Sequence, residues 1–401
     1  MSHPTQSRDI SLTKISHLWS VFNASFLSRL RLFQPFFFLV LLALIRASAL
    51  SAENIPRPVR QMPQAVSNNA VAALKIDDHY VLYSFNGLSA TKTFQAVHHR
   101  SFSFNLANEQ SKEITSLPVT KGRLASVAVS LNHQIYVIGG YSVADDGHEI
   151  STDEIYRYDP KNDRYYLETR IPVAVDDSLA LVYQGRYIYL ISGWSQDDNV
   201  SLVQVYDTQR KRWFNATPFP GPAVFGHAGG VVANQLIVVD GVKIIPASTK
   251  NGIEIRRQFV MSEQSWQGTI DPNQPSKIIW FSLPQHPGPA LYRMASAGIE
   301  SLGLVLFAGG SDNPYNYNGV GYDGQPSEAS SRVFSYHFLQ KKWQQQTDLA
   351  QASMDHRGLA LSDKSAFIIG GMGEKQLTLK TIQTIPFSKL KTLQTKGNNL
   401  Q

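Results

Sequence analysis

Short runs of apolar residues recur along most of the chain and are separated by polar turns rich in Gly, Asn and Asp. Several runs alternate apolar and polar positions, as in "EIYRYDPKNDRYY", which is the period of a half-buried β-strand. The sequence contains neither helical heptads nor a regular alternation of strands with helices. The pattern therefore predicts an all-β protein and argues against α/β folds.

One motif, an aliphatic or aromatic run that ends in glycine, occurs six times. A strand of small apolar residues and a tight polar turn precede each copy, and a variable loop follows it. A third strand then often ends in Tyr-Asp, and a fourth carries an aromatic residue such as Trp213, Trp280 or Trp343. The copies are Tyr80–Gly87, Ile135–Gly140, Ile188–Gly193, Leu236–Gly241, Leu304–Gly310 and Ala366–Gly371.

Each repeat predicts a four-stranded antiparallel sheet, in which glycine permits a close approach of the backbone. One such sheet cannot bury both of its faces, whereas six sheets arranged radially can. We therefore expect a six-bladed β-propeller over residues 57–390. The last repeat supplies three strands, so the lone N-terminal segment Arg57–Val66 is expected to complete the sixth blade and close the ring.

The order of small-residue strand, turn, "IYVIGG", loop and "YDPKNDRYY" resembles the Kelch repeat over roughly residues 60–390. This resemblance implies a six-bladed Kelch propeller. Copper oxidase chemistry also occurs on Kelch propellers, but the cofactor of galactose-oxidase-like enzymes needs a tyrosine cross-linked to a cysteine. The chain has no cysteine, so this cofactor, disulfides and thiolate metal sites are all excluded.

The N-terminus carries much of the net charge of +6, because residues 1–52 contain five basic residues and one acid. A basic flank, an apolar run over Leu32–Ile45 and small residues up to Ala52 form the pattern of a signal peptide. An uncleaved N-terminal anchor is the alternative, although the run is shorter than the roughly 20 residues of a spanning helix. We expect a periplasmic or secreted propeller, with membrane contact only through an uncleaved leader.

The remaining charge is nearly balanced, so we expect no nucleic-acid partner. Residues 391–401 are expected to form a disordered tail. The acidic and amide side chains of the blade-five loop do not match the spacing of a calcium loop, and no phosphate-binding loop is present. We therefore predict neither a metal site nor a cofactor.

The segments that lead into the first strands carry charged residues, which radial symmetry would bring together around the channel mouth. Arginines there would bind a carboxylate, and Asp or His would transfer protons. Alternatively, these residues pair with one another to satisfy the channel lining. The candidates are Arg123, Asp176 with Asp177, His227, Arg293, and His356 with Arg357.

Two long loops on the same face add further candidates. The blade-four loop, residues 240–258, contains Glu254, Arg256 and Arg257. The blade-five loop, residues 309–331, contains Tyr315, Asn316, Tyr317 and Tyr322, whose rings and amide suit the recognition of a sugar. The alternative is a loop that packs only on itself.

Blades four to six resemble bacterial N-acetylneuraminate mutarotases, also called epimerases, in the order and length of "FGHAGGVVANQLIVVDG" and the segments that follow it. The resemblance implies that Glu254 or His227 transfers protons and that Arg256, Arg257, Arg293 or Arg123 binds the sugar carboxylate. The sequence departs from that group at Val242 and Lys243, where a glutamate is expected. A non-catalytic propeller that binds a glycan or an envelope protein is therefore the alternative.

Overall fold

The computed structural model describes residues 59–250 and 253–391. The predicted leader and all but the first residue of the predicted tail lie outside this range. The described chain forms six antiparallel sheets whose first strands neighbour one another around a central channel. The predicted all-β, six-bladed propeller is confirmed.

Each of the first five blades is a four-stranded antiparallel sheet, and blade 6 has three regular strands. Blade 1 contains Ala70–Ile76, His79–Leu88, Val97–Asn105 and Gln110–Ile114; blade 2 contains Val127–Leu131, Gln134–Ile138, Glu154–Asp159 and Arg164–Arg170; blade 3 contains Leu179–Tyr183, Tyr187–Ile191, Val203–Asp207 and Arg212–Asn215. Blade 4 contains Ala228–Val232, Gln235–Val239, Ser265–Ile270 and Ile278–Leu283; blade 5 contains Ala295–Ile299, Leu304–Ala308, Val333–His337 and Lys342–Gln345; blade 6 contains Ala360–Leu361, Ser365–Ile369 and Ile382–Pro386.

The N-terminal segment lies along the outer strand of blade 6 and closes the ring. Gln61 forms an antiparallel bridge with Thr381, and the Met62 N–H donates to the Lys380 carbonyl at 2.8 Å. The Met62 side chain is buried among residues of blades 1 and 6. The expected closing strand is thus present as one bridge with flanking hydrogen bonds rather than as a regular strand.

Aromatic pairs join the third and fourth strands, which explains the repeated Tyr-Asp and Trp positions. Tyr206 lies directly opposite Trp213, with ring centroids 5.2 Å apart, and Tyr336 lies opposite Trp343 at 4.8 Å. Such cross-strand pairs stabilise a sheet and fill the wide outer part of each blade.

The second glycine of the repeat motif makes the chain turn where blades meet. Gly140 has φ of 87°, and a Cβ there would collide with Ser126 Oγ and lie 2.5 Å from the Leu124 carbonyl. Gly371 has φ of 96° and faces the Met354 carbonyl in the same way. These positions require glycine because both the backbone angle and the available space exclude a side chain.

Loops and short hairpins that follow the second strands extend from one face of the propeller, here called the loop face. The hairpin strands are Tyr141–Val143 with Glu149–Ser151, Trp194–Ser195 with Asp198–Asn199, Val242–Ile245 with Gln258–Met261, and Ser248–Lys250 with Ile253–Ile255. Helical structure in the described chain is confined to four short 3₁₀ turns, Phe94–Ala96, Glu300–Leu302, Glu374–Gln376 and Phe387–Lys389. None of the described helices has the length and hydropathy of a membrane span.

Candidate binding site at the loop face

A residue with a left-handed backbone precedes the first strand of each blade, by two positions in blades 1–5 and by five in blade 6, and these six residues surround the channel mouth. They form the mouth ring, which consists of Asn68, Ala125, Asp177, Gly226, Arg293 and Asp355. Hydrogen bonds link each blade to its neighbour: the Gly226 N–H donates to the Asp177 carbonyl at 2.9 Å, and the Arg293 N–H to the Gly226 carbonyl at 2.8 Å. The ring brings Arg293 within ion-pair distance of Asp177 and Asp355.

Three side chains of the mouth ring and that of Arg357 form a buried ion-pair cluster. Arg293 lies between Asp177, with Nη2 to Oδ2 at 2.5 Å, and Asp355, with Nη1 to Oδ1 at 3.1 Å. Arg357 Nη2 lies 3.0 Å from Asp177 Oδ1 and 3.5 Å from Asp355 Oδ1. Burial alone would raise the pKa of Asp177, but the two arginines outweigh it and hold that pKa below its ordinary value. Asp177 is therefore a carboxylate, and each arginine is already paired.

The central channel encloses a cavity of about 310 Å³, lined mainly by small residues of the first strands. His227, His356 and Arg357 also line it. His227 Nε2 bonds to the Ile191 carbonyl at 2.9 Å, and burial lowers the pKa of this imidazole to about 4. His227 is therefore neutral at pH 7 and belongs to the channel.

A second cavity of about 220 Å³, here called the mouth cavity, lies at the loop face and shares Asp177 with the channel lining. It brings together carboxyl groups, one paired arginine, one amide and several aromatic rings. Its lining residues are Glu149, Asp176, Asp177, Arg293, Asn316, Tyr141, Trp194, Phe225, Phe259, Tyr317 and Tyr322.

The aromatic wall of the mouth cavity joins the loops of blades 3, 4 and 5. Trp194 packs edge-on against Phe225 with ring centroids 5.5 Å apart. Phe259 stacks on Tyr322 at 4.1 Å with an interplanar angle of 19°. The exposed Arg257 places its guanidinium carbon 4.9 Å from the Trp194 ring centroid and 5.2 Å from that of Phe259. Stacked aromatic faces of this kind suit the apolar face of a sugar ring.

The carboxyl groups of the mouth cavity differ in their surroundings. Asp176 Oδ2 accepts a hydrogen bond from Ser151 Oγ at 2.6 Å, and burial, reinforced by the charge of Asp177, raises the pKa of Asp176 well above its ordinary value. The surrounding protein desolvates the Glu149 carboxyl and raises its pKa, which Arg293 partly offsets, although much of the residue is open to solvent. Glu149 remains exposed at the cavity edge. The cavity therefore combines Asp176, whose ionisation is disfavoured, with Asp177, whose ionisation the two arginines favour.

The comparisons with known proteins agree with this architecture. Residues 122–168, which cover most of blade 2 and the segment that leads into it, match the family model described as the Kelch motif. The chain is a six-bladed β-propeller that carries a Kelch motif. Kelch-like protein 15 of Gallus gallus is 26% identical over 141 residues, 35% of this chain and 27% of that protein. Kelch-like protein 26 of Mus musculus is 28% identical over 185 residues, 46% of this chain and 29% of that protein.

The matched region of this Kelch propeller spans between about a quarter and a third of those two relatives. Beta-scruin of Limulus polyphemus is 28% identical over 165 residues, 40% of this chain and 16% of that protein. Among solved structures, "Structure of YjhT" superposes with a TM-score of 0.63 and 15% identity, covering 85% of this chain and 98% of the other. At that identity the likeness concerns the fold.

Several predicted site residues of this Kelch propeller come together at the mouth. Asp176, Arg293, Asn316 and Tyr322 line the mouth cavity, and Arg357 belongs to the ion-pair cluster. For Arg293 and Arg357 the structure agrees with the alternative that the charged residues pair with one another. Both arginines form ion pairs with Asp177 and Asp355.

Other predicted residues lie elsewhere. Arg123 precedes the mouth ring by two positions and pairs with Glu154 of blade 2. Tyr315 is fully buried against Tyr292, with ring centroids 5.0 Å apart, and does not line the mouth cavity.

The blade-four hairpin carries the remaining candidates. Arg256 is exposed. Glu254 pairs through its backbone with Thr249, and its side chain lies outside the described residues.

Most of the aromatic wall and Glu149 escaped the sequence analysis. Tyr141 and Trp194 each directly follow the glycine of their repeat motif, so their shared position was a usable signal. Glu149 begins the second strand of the hairpin that follows the blade 2 motif, and no feature of the repeat marks this position in the sequence. No cluster of three or more potential metal ligands occurs in residues 59–250 and 253–391.

Proposed function

We propose that this Kelch propeller binds a carbohydrate-like ligand the size of a monosaccharide in the mouth cavity. The observation that carries the proposal is that aromatic faces and carboxyl groups border one cavity of about 220 Å³. Rings stack on the apolar face of a pyranose, while Asp176, Glu149 and the Asn316 amide are suited to its hydroxyls. Loops held by a rigid propeller are the usual place for such a site.

We further propose that the propeller is a mutarotase that interconverts sugar anomers. Asp176 would protonate the ring oxygen while Glu149 accepts the proton of the anomeric hydroxyl. The bond between the anomeric carbon and the ring oxygen then breaks, and reversal on the other face of the carbonyl gives the other anomer. Asp176 suits the acid role because Ser151 donates to one of its oxygens and Asp177 disfavours its ionisation. Asp176 and Glu149 thus replace His227, which the sequence resemblance had implied as a proton-transfer residue. His227 is neutral and lines the channel.

The resemblance in sequence implies a sialic-acid-type substrate. Arg293 is already bound by two aspartates, so Arg257 on the blade-four hairpin is the arginine that would hold a sugar carboxylate. Glu254 lies on the same hairpin, opposite Thr249.

Anomer exchange measured by NMR tests the mutarotase proposal. Purified protein should accelerate exchange of N-acetylneuraminate or of glucose over buffer, and Asp176→Asn and Glu149→Gln should each reduce this acceleration by about 100-fold or more. Asp197→Asn is the matched control, because Asp197 is exposed on the same face and does not line the cavity. The absence of acceleration for both sugars would end the mutarotase assignment.

Non-catalytic binding is the second candidate, favoured by the paired state of Arg293 and Arg357. Such a propeller would hold a glycan or an envelope protein at the loop face without chemistry. Saturable sugar binding without faster exchange would select this function.

We also propose that the protein acts outside the cytoplasm, in the periplasm or after secretion. The signal-like pattern of residues 1–52 supports this placement. Cell fractionation tests it, and recovery of the full chain from the cytoplasm alone would contradict it.

A further inference from the structure

We propose that the mouth cavity prefers a cationic sugar, such as an amino sugar with a protonated amine, to neutral or acid sugars with the same ring. The inference rests on the proposed function only in placing a sugar ring in this cavity. It replaces the acid sugar implied by the sequence resemblance with a substrate class of opposite charge.

The charges around the mouth cavity oppose an acid sugar. Three carboxyl groups line the cavity, and the negative charge comes from Glu149 and Asp177, because burial disfavours ionisation of Asp176. The cation among the described lining residues is Arg293. Asp177 and Asp355 already engage both terminal nitrogens of Arg293. Within the lining, a ligand carboxylate would therefore meet acidic groups and an arginine that is already paired, and Arg257 on the cavity rim would be its one described partner, whereas a ligand ammonium would gain charge-assisted hydrogen bonds from the lining itself.

The hydrogen-bonding capacity of the acids is not exhausted. Asp177 Oδ1 is buried and accepts no hydrogen bond from the described residues, although Arg357 Nη2 lies 3.0 Å away. For Asp176, the described side-chain donor is Ser151 Oγ on one oxygen. Glu149 is exposed at the cavity edge, where a ligand amine can reach it.

The aromatic wall provides a second, independent attraction for a cation. Aromatic faces attract cations whose charge lies within about 6 Å of the ring centroid. Trp194 and Phe259 already make cation–π contacts with a cation of the protein itself. The Arg257 guanidinium carbon lies 4.9 Å from the Trp194 ring centroid and 5.2 Å from that of Phe259. A ligand ammonium beside the same rings would gain the same interaction.

Arg257 provides a further test of the proposal. Its charge lies over Trp194 and Phe259, the two rings that a cationic ligand would contact, and would repel such a ligand. Removing its charge should relieve repulsion of an amino sugar. Its neighbour Arg256 is exposed and makes no described contact with these rings, so it is the matched control.

Three sugars that share a pyranose ring and differ in charge test the preference: D-glucosamine, D-glucose and D-glucuronate. Titration of the whole protein at about pH 6.5, where the amine is protonated, should give glucosamine about 10-fold or more tighter binding than glucose. Glucuronate should bind more weakly than glucose. The preference for glucosamine should shrink at high salt.

Variants assign the effect to the cavity. Glu149→Gln should reduce glucosamine affinity by about 10-fold and leave glucose affinity within about two-fold, while Asp197→Asn leaves both unchanged. Arg257→Gln should strengthen glucosamine binding, and Arg256→Gln should not. Circular dichroism confirms that each variant is folded.

The outcomes separate the two proposals. If glucose binds but glucosamine binds no tighter, or glucuronate binds tightest, the charge preference is overturned and the sugar site stands. If none of the three sugars binds, both proposals fall.

Discussion

Arg293 and Asp177 form an ion pair at the centre of the loop face, with Nη2 2.5 Å from Oδ2 and both side chains at most 3% exposed. The pair joins the segments that lead into blades 3 and 5, and Asp355 extends it to blade 6. It therefore fastens non-adjacent blades across the channel and forms part of the floor of the mouth cavity.

Arg293→Met should destabilise the propeller by about 3–5 kcal/mol, because it leaves Asp177 and Asp355 buried with half of their positive partners. Urea unfolding at pH 7 measures this loss. Arg256→Met, on the exposed hairpin, should change the unfolding free energy by no more than about 0.5 kcal/mol. Equal stability of the two variants would show that the cluster contributes little.

Stability should fall as the pH drops below about 6.5. Burial lowers the pKa of His227 to about 4 and that of His356 to about 3, so the unfolded chain binds protons that the folded protein does not. The contribution of His227 is complete above its unfolded pKa and is lost as the pH falls towards 4, at up to about 1.4 kcal/mol per pH unit.

Unfolding free energies at pH 7.5 and pH 5 measure this dependence, and His227→Gln should reduce the difference between them. Asp176 acts in the opposite direction, because its raised pKa makes stability fall as the pH rises. An unchanged difference in His227→Gln would exclude His227 as a source of the acid sensitivity.

The glycine of the repeat motif should tolerate no side chain. Gly140→Ala should cost several kcal/mol, because its Cβ would lie 2.5 Å from the Leu124 carbonyl at φ of 87°. Gly147→Ala, at φ of 84° with open space around it, should cost only about 1–2 kcal/mol. Thermal unfolding compares them, and similar losses would mean that backbone angle rather than crowding dominates.

Closure of the ring should depend on Met62. Met62→Ala should destabilise the propeller by about 2–5 kcal/mol, because its side chain is 2% exposed among residues of blades 1 and 6. Val59→Ala, at 65% exposure in the same segment, is the control and should have almost no effect. Denaturant unfolding checks both, and a neutral Met62→Ala would argue that the segment is peripheral.

Much of the fold was predictable because it repeats. Six copies of a glycine-terminated strand specify six sheets, and sheets with two apolar faces must pack in a ring. Even the closing segment was predicted, since three strands in the last repeat leave one position open. The site was less predictable: Asp176 and Tyr322 were found, whereas Glu149 and Phe259 reach the cavity from hairpins whose geometry the repeat does not determine.

The sequence by itself determined the repeat, its period-2 strands and the glycines, because these follow from local backbone chemistry and from burial. Only the tertiary structure decided which charges pair. Arg123 and Arg293 are both arginines near the start of an inner strand, yet one binds Glu154 within its blade and the other joins Asp177 and Asp355 across the channel. Arg293 occupies the left-handed position itself, whereas Arg123 lies two positions before the left-handed Ala125. This difference decides the ion-pair partner of each arginine only once the blades have closed into a ring.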